Sequence, residues 1–284
     1  MVIKTLLAGF TASALLVLAV PVSAFAASTV TVTPSNTQGW YPADVRPGGT
    51  VTYVPDATTP LPSGALQLTT DATTAAKAQY MHDTSTPLTT VNTLSYATKQ
   101  VSGPPEADPS YQLAVCLGGM TGTTCNGFTT LVYEPYWNGA VTPGAWQTWD
   151  VDSGLLWSSK SYTSGTCAVA GAPGGPPTYN LAALKIACPN ATVVSYGVNV
   201  GTYNTNYVVR TDAFNFNGIV YNFEAKPYKP TKLEECRNGG WKNFQTPYRS
   251  QLDCMVNVIK SYIEDHSHDG GDHSHWGSWK HWDQ

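Results

Sequence analysis

Residues 128–157 read FTTLVYEPYWNGAVTPGAWQTWDVDSGLLW and hold four of the nine tryptophans of the chain. A β-branched and aromatic run opens the stretch, a turn follows at Asn138 and Gly139, and a second apolar run ends at Trp157. Two such runs joined through turn residues predict two strands. The indole rings between them either fill the space between two sheets or form a platform for a flat ligand, and the sequence leaves both interpretations open.

Strand patterns of this kind recur from residue 27 to residue 227, roughly ten in all, with Gly- and Pro-rich turns between them. In residues 111–117, Tyr111, Leu113 and Val115 alternate with smaller or polar residues, which indicates a strand that faces a core on one side. Asn217 and Gly218 predict a tight hairpin between two apolar runs. We therefore expect an all-β fold, a two-sheet β-sandwich of the jelly-roll type, with a short helix near residues 181–188.

The N-terminal residues predict export. Lys4 precedes an apolar run at residues 6–20, and Ala24, Phe25 and Ala26 supply a small-residue cleavage pattern, so residues 1–26 are expected to be a signal peptide. The mature chain then begins near Ala27, and no later segment is apolar enough to be a transmembrane segment. The expected location is secreted and extracellular, either free or associated with the cell surface.

Six cysteines lie in the exported part, where an oxidising compartment favours disulfides. Spacing alone leaves their connectivity open. We expect each cysteine to pair with its neighbour, because every neighbouring pair encloses a Gly-rich or irregular segment that a cross-link would restrain. The expected pairs are Cys116 with Cys125, Cys167 with Cys188, and Cys236 with Cys254. No C-x-x-C spacing supports the alternative, a metal site.

Charged residues make up only 12% of the chain, and acidic residues outnumber basic ones. Binding to nucleic acid requires basic side chains that neutralise phosphates. This composition therefore disfavours nucleic acid as a partner of the main domain.

The composition changes after residue 227. Residues 27–227 are expected to form the sandwich, residues 228–263 an appendage closed by Cys236 and Cys254, and residues 264–284 a disordered tail. In the appendage, Ser250 and Asp253 predict a capping box at the start of a helix. One face of that helix is apolar. The short appendage cannot make a large core by itself, so it should dock on the sandwich or on another molecule. The face consists of Leu252, Val256, Ile259 and Ile263.

Two features suggest metal ligands, although no cofactor is expected to be required. The histidines of the tail stand two residues apart beside Asp, a spacing that chelates Zn²⁺, Cu²⁺ or Ni²⁺. They are His266, His268, His273 and His275. Asp212 is a candidate ligand for a structural Ca²⁺ ion. The alternatives are a solvated tail with incidental metal affinity and an ordinary turn aspartate.

The motifs named so far resemble a recurring, largely uncharacterised exported domain of bacteria. The resemblance spans most of residues 37–225 and rests on LVYEPYWNG, GAWQTWD with the nearby LLW, GVNVGT, TDAFNFNG and YNFE. Residues 236–244, CRNGGWKNF, are similar to a C-x-N-G-G-W-x-x-F cysteine motif attached to many bacterial exported proteins. The resemblance implies a jelly roll related to carbohydrate-binding modules and concanavalin-like lectins. It implies no catalytic residues.

Two sets of side chains are candidates for function. A hydrolase of polysaccharides would use a pair of carboxylates, for which Glu134 and Asp152 are the candidates, unless both are turn or surface groups. A binding site would use aromatic rings for stacking on sugars and polar groups beside them. Its candidate residues are Tyr136, Trp137, Asn138, Trp146, Trp149 and Asp152. Trp146 and Trp149 are three residues apart, so a regular strand cannot point both to one face.

Three hypotheses remain open from the sequence. The favoured one is a secreted, non-catalytic protein that binds a glycan or cell-surface polymer through its aromatic loop. The second is a polysaccharide hydrolase that uses Glu134 and Asp152. The third is a structural surface protein whose cysteine motif and tail mediate attachment.

Overall fold

The computed structural model describes residues 28–267 apart from residues 62, 228 and 245, and only the backbone at residues 264–267. The predicted signal peptide and most of the predicted tail lie outside the described residues. Within them, no helix is long and apolar enough to cross a membrane.

The described chain is mostly strand. The strands are β1 (Ser28–Val32), β2 (Trp40–Pro42), β3 (Gly49–Pro55), β4 (Gly64–Thr70), β5 (Ala78–Pro87), β6 (Leu94–Ser102), β7 (Ser110–Cys116), β8 (Met120–Thr121), β9 (Thr124–Cys125), β10 (Phe128–Tyr133), β11 (Gln147–Asp150), β12 (Leu155–Ser158), β13 (Tyr162–Ser164), β14 (Cys167–Val169), β15 (Tyr179–Asn180), β16 (Thr192–Val200), β17 (Val208–Phe216) and β18 (Ile219–Phe223). The α-helices are α1 (Pro135–Asn138), α2 (Leu181–Ala187) and α3 (Gln251–Ser267), and short 3-10 helices span Leu88–Thr90, Leu233–Cys236 and Gly240–Asn243.

Two seven-stranded sheets form the sandwich. The first sheet has the order β1-β18-β17-β4-β3, and β6 pairs with β17 and carries β11 on its other side. The second sheet has the order β15-β12-β10-β7-β16-β5-β2. The predicted all-β sandwich is confirmed, as are the short helix α2 and the Asn217-Gly218 hairpin, where both residues have positive φ.

Trp40 of the edge strand β2 is buried between the two sheets. Its ring lies 5.7 Å from that of Tyr196 in the second sheet. It also lies 5.1 Å from the rings of Phe214 and Phe223 in the first sheet, all edge-on. Edge-to-face contacts of this kind stabilise by about 0.5–1.5 kcal/mol each beyond the area they bury. The aromatic residues of both sheets therefore fill the interior.

The central strands of the second sheet alternate as predicted. In β7, Tyr111, Leu113 and Val115 are fully buried in the core. The residues between them point to the opposite face, because successive side chains of a strand alternate. That outer face carries the polar side chains of Ser110 and Gln112, followed by Ala114 and Cys116.

The three predicted disulfides are confirmed. Cys116 bonds to Cys125, Cys167 to Cys188, and Cys236 to Cys254. The first ties the base of the β8–β9 hairpin, and the second holds α2 against β14.

The C-terminal appendage has a small core of its own, made by Cys236, Phe244, Tyr248, Cys254 and Val258. The Ser250 side chain accepts a hydrogen bond from the Asp253 N–H at 3.1 Å, as the predicted capping box requires. The Asp253 carboxylate, however, accepts from the Arg249 N–H instead of Ser250.

The predicted apolar face of α3 does not dock on the sandwich. The helix packs through Cys254 and Val258 instead, which lie on another side of it. The residues of the predicted face are all exposed, namely Leu252, Val256, Ile259 and Ile263.

Gly197 lies close to the backbone of the neighbouring strand β5, and this gives a first prediction. A Cβ at this position in β16 would lie 2.1 Å from the Tyr80 carbonyl oxygen of β5. We therefore expect Gly197→Ala to lower the free energy of unfolding by about 1–3 kcal/mol, as overpacking does. Urea denaturation measures the change. Gly201→Ala is the control, because its Cβ would meet only the movable Asn199 amide, at 3.2 Å. Equal stability of the two variants would contradict the prediction.

Candidate functional site: a groove on the second sheet

The outer face of the second sheet forms a groove with a cavity volume of about 660 Å³. Volumes of this size are typical of small-molecule sites. Five strands contribute outward-pointing side chains to its floor. The floor residues include Gln79, Ser110, Gln112, Val132, Trp157 and Asn199.

The strand register aligns these floor residues in two rows across the sheet. In one row, Trp157 pairs with Val132, and Val132 with Gln112. In the other, Ser110 pairs with Asn199, and Asn199 with Gln79. Neighbouring strands are about 4.8 Å apart, so the floor is long enough for an extended ligand that crosses the strands.

Among the described residues that line the groove, three acceptor oxygens find no hydrogen-bond donor. They are Gln79 Oε1, Asp108 Oδ1 and Asn199 Oδ1. Asp108 is only 5% exposed and Asn199 8%. An unsatisfied buried polar atom costs about 1–3 kcal/mol. A ligand with several donor groups would remove this cost.

Asp108 is held from behind by buried residues. Its Oδ2 accepts a hydrogen bond from the Thr98 hydroxyl at 2.6 Å, and that hydroxyl accepts one from the Trp149 indole at 2.7 Å. Burial raises the pKa of Asp108 to about 6, although the Thr98 hydrogen bond counteracts part of the rise. Trp149 was expected to bind ligand, but it is 7% exposed and belongs to the core. Hydrogen bonds connect it to the groove through Thr98 and Asp108.

Glu134 lines the groove at the end of β10. Burial raises the pKa of Glu134 to about 8, and the nearby Trp157 indole counteracts part of the rise. The carboxyl is therefore largely protonated at neutral pH, and the groove carries less negative charge than its sequence suggests.

The side of the groove beside Glu134 is formed by Tyr136 and by a loop that Trp137 contacts. Tyr136 of α1 is partly exposed and lines the groove. The Trp137 ring contacts that of Tyr136, and its indole N–H donates to the Gly174 carbonyl at 3.2 Å. A Cβ at Gly175 would lie 2.6 Å from the Trp137 ring. Trp137 therefore fixes the loop that contains Gly174, which also lines the groove.

Tyr203 also lines the groove, and no sequence motif marks it. Its side chain is 81% exposed. Its φ is +71°, a left-handed conformation that is unfavourable for a bulky residue. Strain of this kind is found preferentially at binding sites. A tyrosine in a Gly- and Asn-rich loop gives no local signal of this role.

One end of the groove is charged. The Asp44 carboxylate lies 3.0 Å from Arg46 and 2.8 Å from Lys77. Hydrogen bonds from both partners lower the pKa of Asp44 to about 2. One unit of positive charge remains at this end.

The other sequence-predicted site residues do not line the groove. The Asn138 side chain bonds to both backbone groups of Leu155, at 2.7 and 3.1 Å, and holds a turn. The Trp146 indole donates to Thr58, beside Lys99. The Asp152 carboxylate accepts from the Leu94 N–H at 2.9 Å. Asp152 and Glu134 therefore do not form a pair across the groove.

The metal predictions concern Asp212 and the histidines of the tail. Asp212 is fully buried, and its carboxylate accepts from the Leu61 and Phe223 N–H groups at 3.1 and 3.0 Å. Burial raises the pKa of Asp212 to about 7. Among the residues whose side chains the structure describes, no group of three His, Cys, Asp or Glu is placed to hold a metal. His268, His273 and His275 lie outside the described residues, and so does the side chain of His266.

The raised pKa of Glu134 gives a second prediction. Between its ordinary value of 4.5 and about 8, the folded protein keeps a proton that the unfolded chain releases. The free energy of unfolding should therefore fall as pH rises through this range. Glu134→Gln removes this contribution. As pH rises from 4.5 to about 8, the free energy of unfolding of the wild type, relative to that of the variant, should therefore fall by up to a few kcal/mol, at ~1.4 kcal/mol per pKa unit.

Urea denaturation at a series of pH values tests this. The matched control is Glu106→Gln, at an exposed glutamate, which should keep the pH dependence of the wild type. Parallel pH profiles for the wild type and Glu134→Gln would contradict the predicted burial effect.

Comparison with solved structures gives several neighbours, among them two carbohydrate-binding modules. No family model matches the chain, and no curated protein matches it. One neighbour is a family 11 carbohydrate-binding module from Clostridium thermocellum, in complex with a β-1,3-1,4-mixed-linked tetrasaccharide. It is 12% identical to this chain, with a TM-score of 0.37, and the alignment covers 66% of this chain and 91% of the module. The other is the family 11 module of the C. thermocellum cellulosomal cellulase Lic26A-Cel5E. Its identity and TM-score are the same, and the alignment covers 66% of this chain and 89% of that module. A likeness of this size assigns no function.

Proposed function

We propose that the chain is an exported, non-catalytic protein that binds a glycan or another hydroxyl-rich polymer of the cell surface in the groove of the second sheet. The observation that carries the proposal is the set of buried acceptor atoms without donors, on Gln79, Asp108 and Asn199. Hydroxyl groups of a sugar would supply the missing donors. The three disulfides fit an oxidising, extracellular compartment.

The remaining surface of the groove supports the same ligand class. Tyr136, Trp157 and Tyr203 offer aromatic faces on which the C–H face of a sugar ring can stack. Two residues that line the groove are basic, Arg46 and Lys77, and both contact Asp44, so the groove lacks the basic surface that nucleic acid needs. A neutral, extended chain fits best.

The hydrolase alternative finds less support. Its proposed carboxylates, Glu134 and Asp152, do not face each other across the groove, and Asp152 is engaged by a backbone N–H. A glycosidase requires two carboxyl groups on either side of the bond that is cleaved.

The proposal gives a third prediction, which compares two tryptophans. Trp157→Ala should weaken binding to a polysaccharide that the wild type binds by about tenfold or more, equivalent to ~1.4 kcal/mol. The reason is that a stacking surface of the groove is lost. Trp146→Ala is the matched control and should leave the affinity unchanged, since Trp146 lies against Thr58 and Lys99. Tyr203→Ala, at an exposed position, should weaken binding without loss of stability.

The measurement is affinity electrophoresis of the mature protein against a panel of neutral and charged polysaccharides, with an assay for released reducing ends. Retention without release supports binding. Release that disappears in Glu134→Gln would support the hydrolase instead, and neither retention nor release would favour the structural role. Loss of retention in Trp146→Ala but not in Trp157→Ala would place the site elsewhere.

A further inference from the structure

The helix α3 carries an exposed apolar stripe that its own small core does not use. Leu252 is 71% exposed, Ile263 58%, Ile259 47% and Val256 40%. The four residues follow each other at steps of four, three and four, which places them within about 60° of the helix circumference. The side that faces the appendage core, with Cys254 and Val258, is a different one.

Steps of four and three are the seam pattern of two helices that pack against each other. We propose that this stripe binds the same stripe of a second copy of the chain, in an antiparallel pair of α3 helices related by a two-fold axis. In this register Leu252 lies against Ile263 of the second copy, and Val256 against Ile259 of the second copy. Each contact occurs twice, as a two-fold interface requires.

The charges beside the stripe select this partner and this direction. Asp253 and Lys260 flank the same edge of the stripe, seven residues apart. In the antiparallel pair, Asp253 faces Lys260 of the second copy, and the pair is repeated by symmetry. A parallel pair would place Lys260 beside Met255 of the second copy instead, and Asp253 and Lys260 would then have no partner of opposite charge. Flanking charges of this kind set the orientation of paired helices.

The helix is already formed before it pairs. The Cys236–Cys254 disulfide and the contacts of Phe244 and Tyr248 hold it in the appendage. The cost of nucleating a helix is therefore not part of association. Four apolar side chains per copy make a small interface, and small interfaces are weak and transient. A concentration-dependent dimer is expected.

Sedimentation velocity of the mature protein, from low to high micromolar concentration, tests the proposal. The sedimentation coefficient should rise with concentration for the wild type and stay at the monomer value for Ile259→Asp. Ile186→Asp is the control, because Ile186 is an exposed isoleucine of α2, and it should associate as the wild type does. A wild type that is monomeric at every concentration, or an Ile259→Asp variant that still associates, would overturn the proposal.

A mixing experiment tests the antiparallel register. Asp253→Lys alone and Lys260→Asp alone should each abolish association at low salt, because like charges then face each other. An equimolar mixture of the two variants should associate again, since each copy supplies the charge that the other lacks. Far-UV circular dichroism verifies that α3 remains helical in both variants. Failure of the mixture to associate, with α3 intact, would rule out this register.

Discussion

The alternation of side chains in the central strands of the second sheet is the constraint on which both the fold and the groove depend. Tyr111, Leu113 and Val115 point inward, so the residues between them must point outward. A shift of one residue would turn Gln112 into the core and the core residues to the outer face. The same register that closes the core therefore arranges the polar floor of the groove.

The groove is supported by residues that do not line it. Trp149 positions Asp108 through Thr98, and Trp137 holds the loop that contains Gly174. Asn138 fixes the turn before β12 through Leu155. A site fixed in this way loses little side-chain entropy when a ligand binds.

The sequence predicted the features that depend on local pattern. The alternation of β7 and the Asn217-Gly218 hairpin depend on neighbouring residues, and both are confirmed. Strand β5 was not predicted, because AQYMHDTSTP has no regular alternation of apolar and polar residues. It is a strand because it pairs with β16 on one side and β2 on the other.

The site could be predicted only in part, for the same reason. Tyr136 and Glu134 lie in the aromatic stretch and line the groove. Asp108 and Asn199 come from distant strands or loops, and only the sheet register brings them together. The choice between Trp146 and Trp149 also depends on tertiary contacts, since periodicity excludes only that both point to one face. The apolar face of α3 was predicted, but which side of the helix the appendage would cover was not.

The edge strands of the second sheet affect how readily the protein aggregates. Its outermost strands are β2, with three residues and Pro42 at its end, and β15, with two residues. Short strands and proline offer few free N–H and C=O groups to a neighbouring chain. The second sheet is thus protected against edge-to-edge aggregation into fibrils by the shortness of the strands at its two edges.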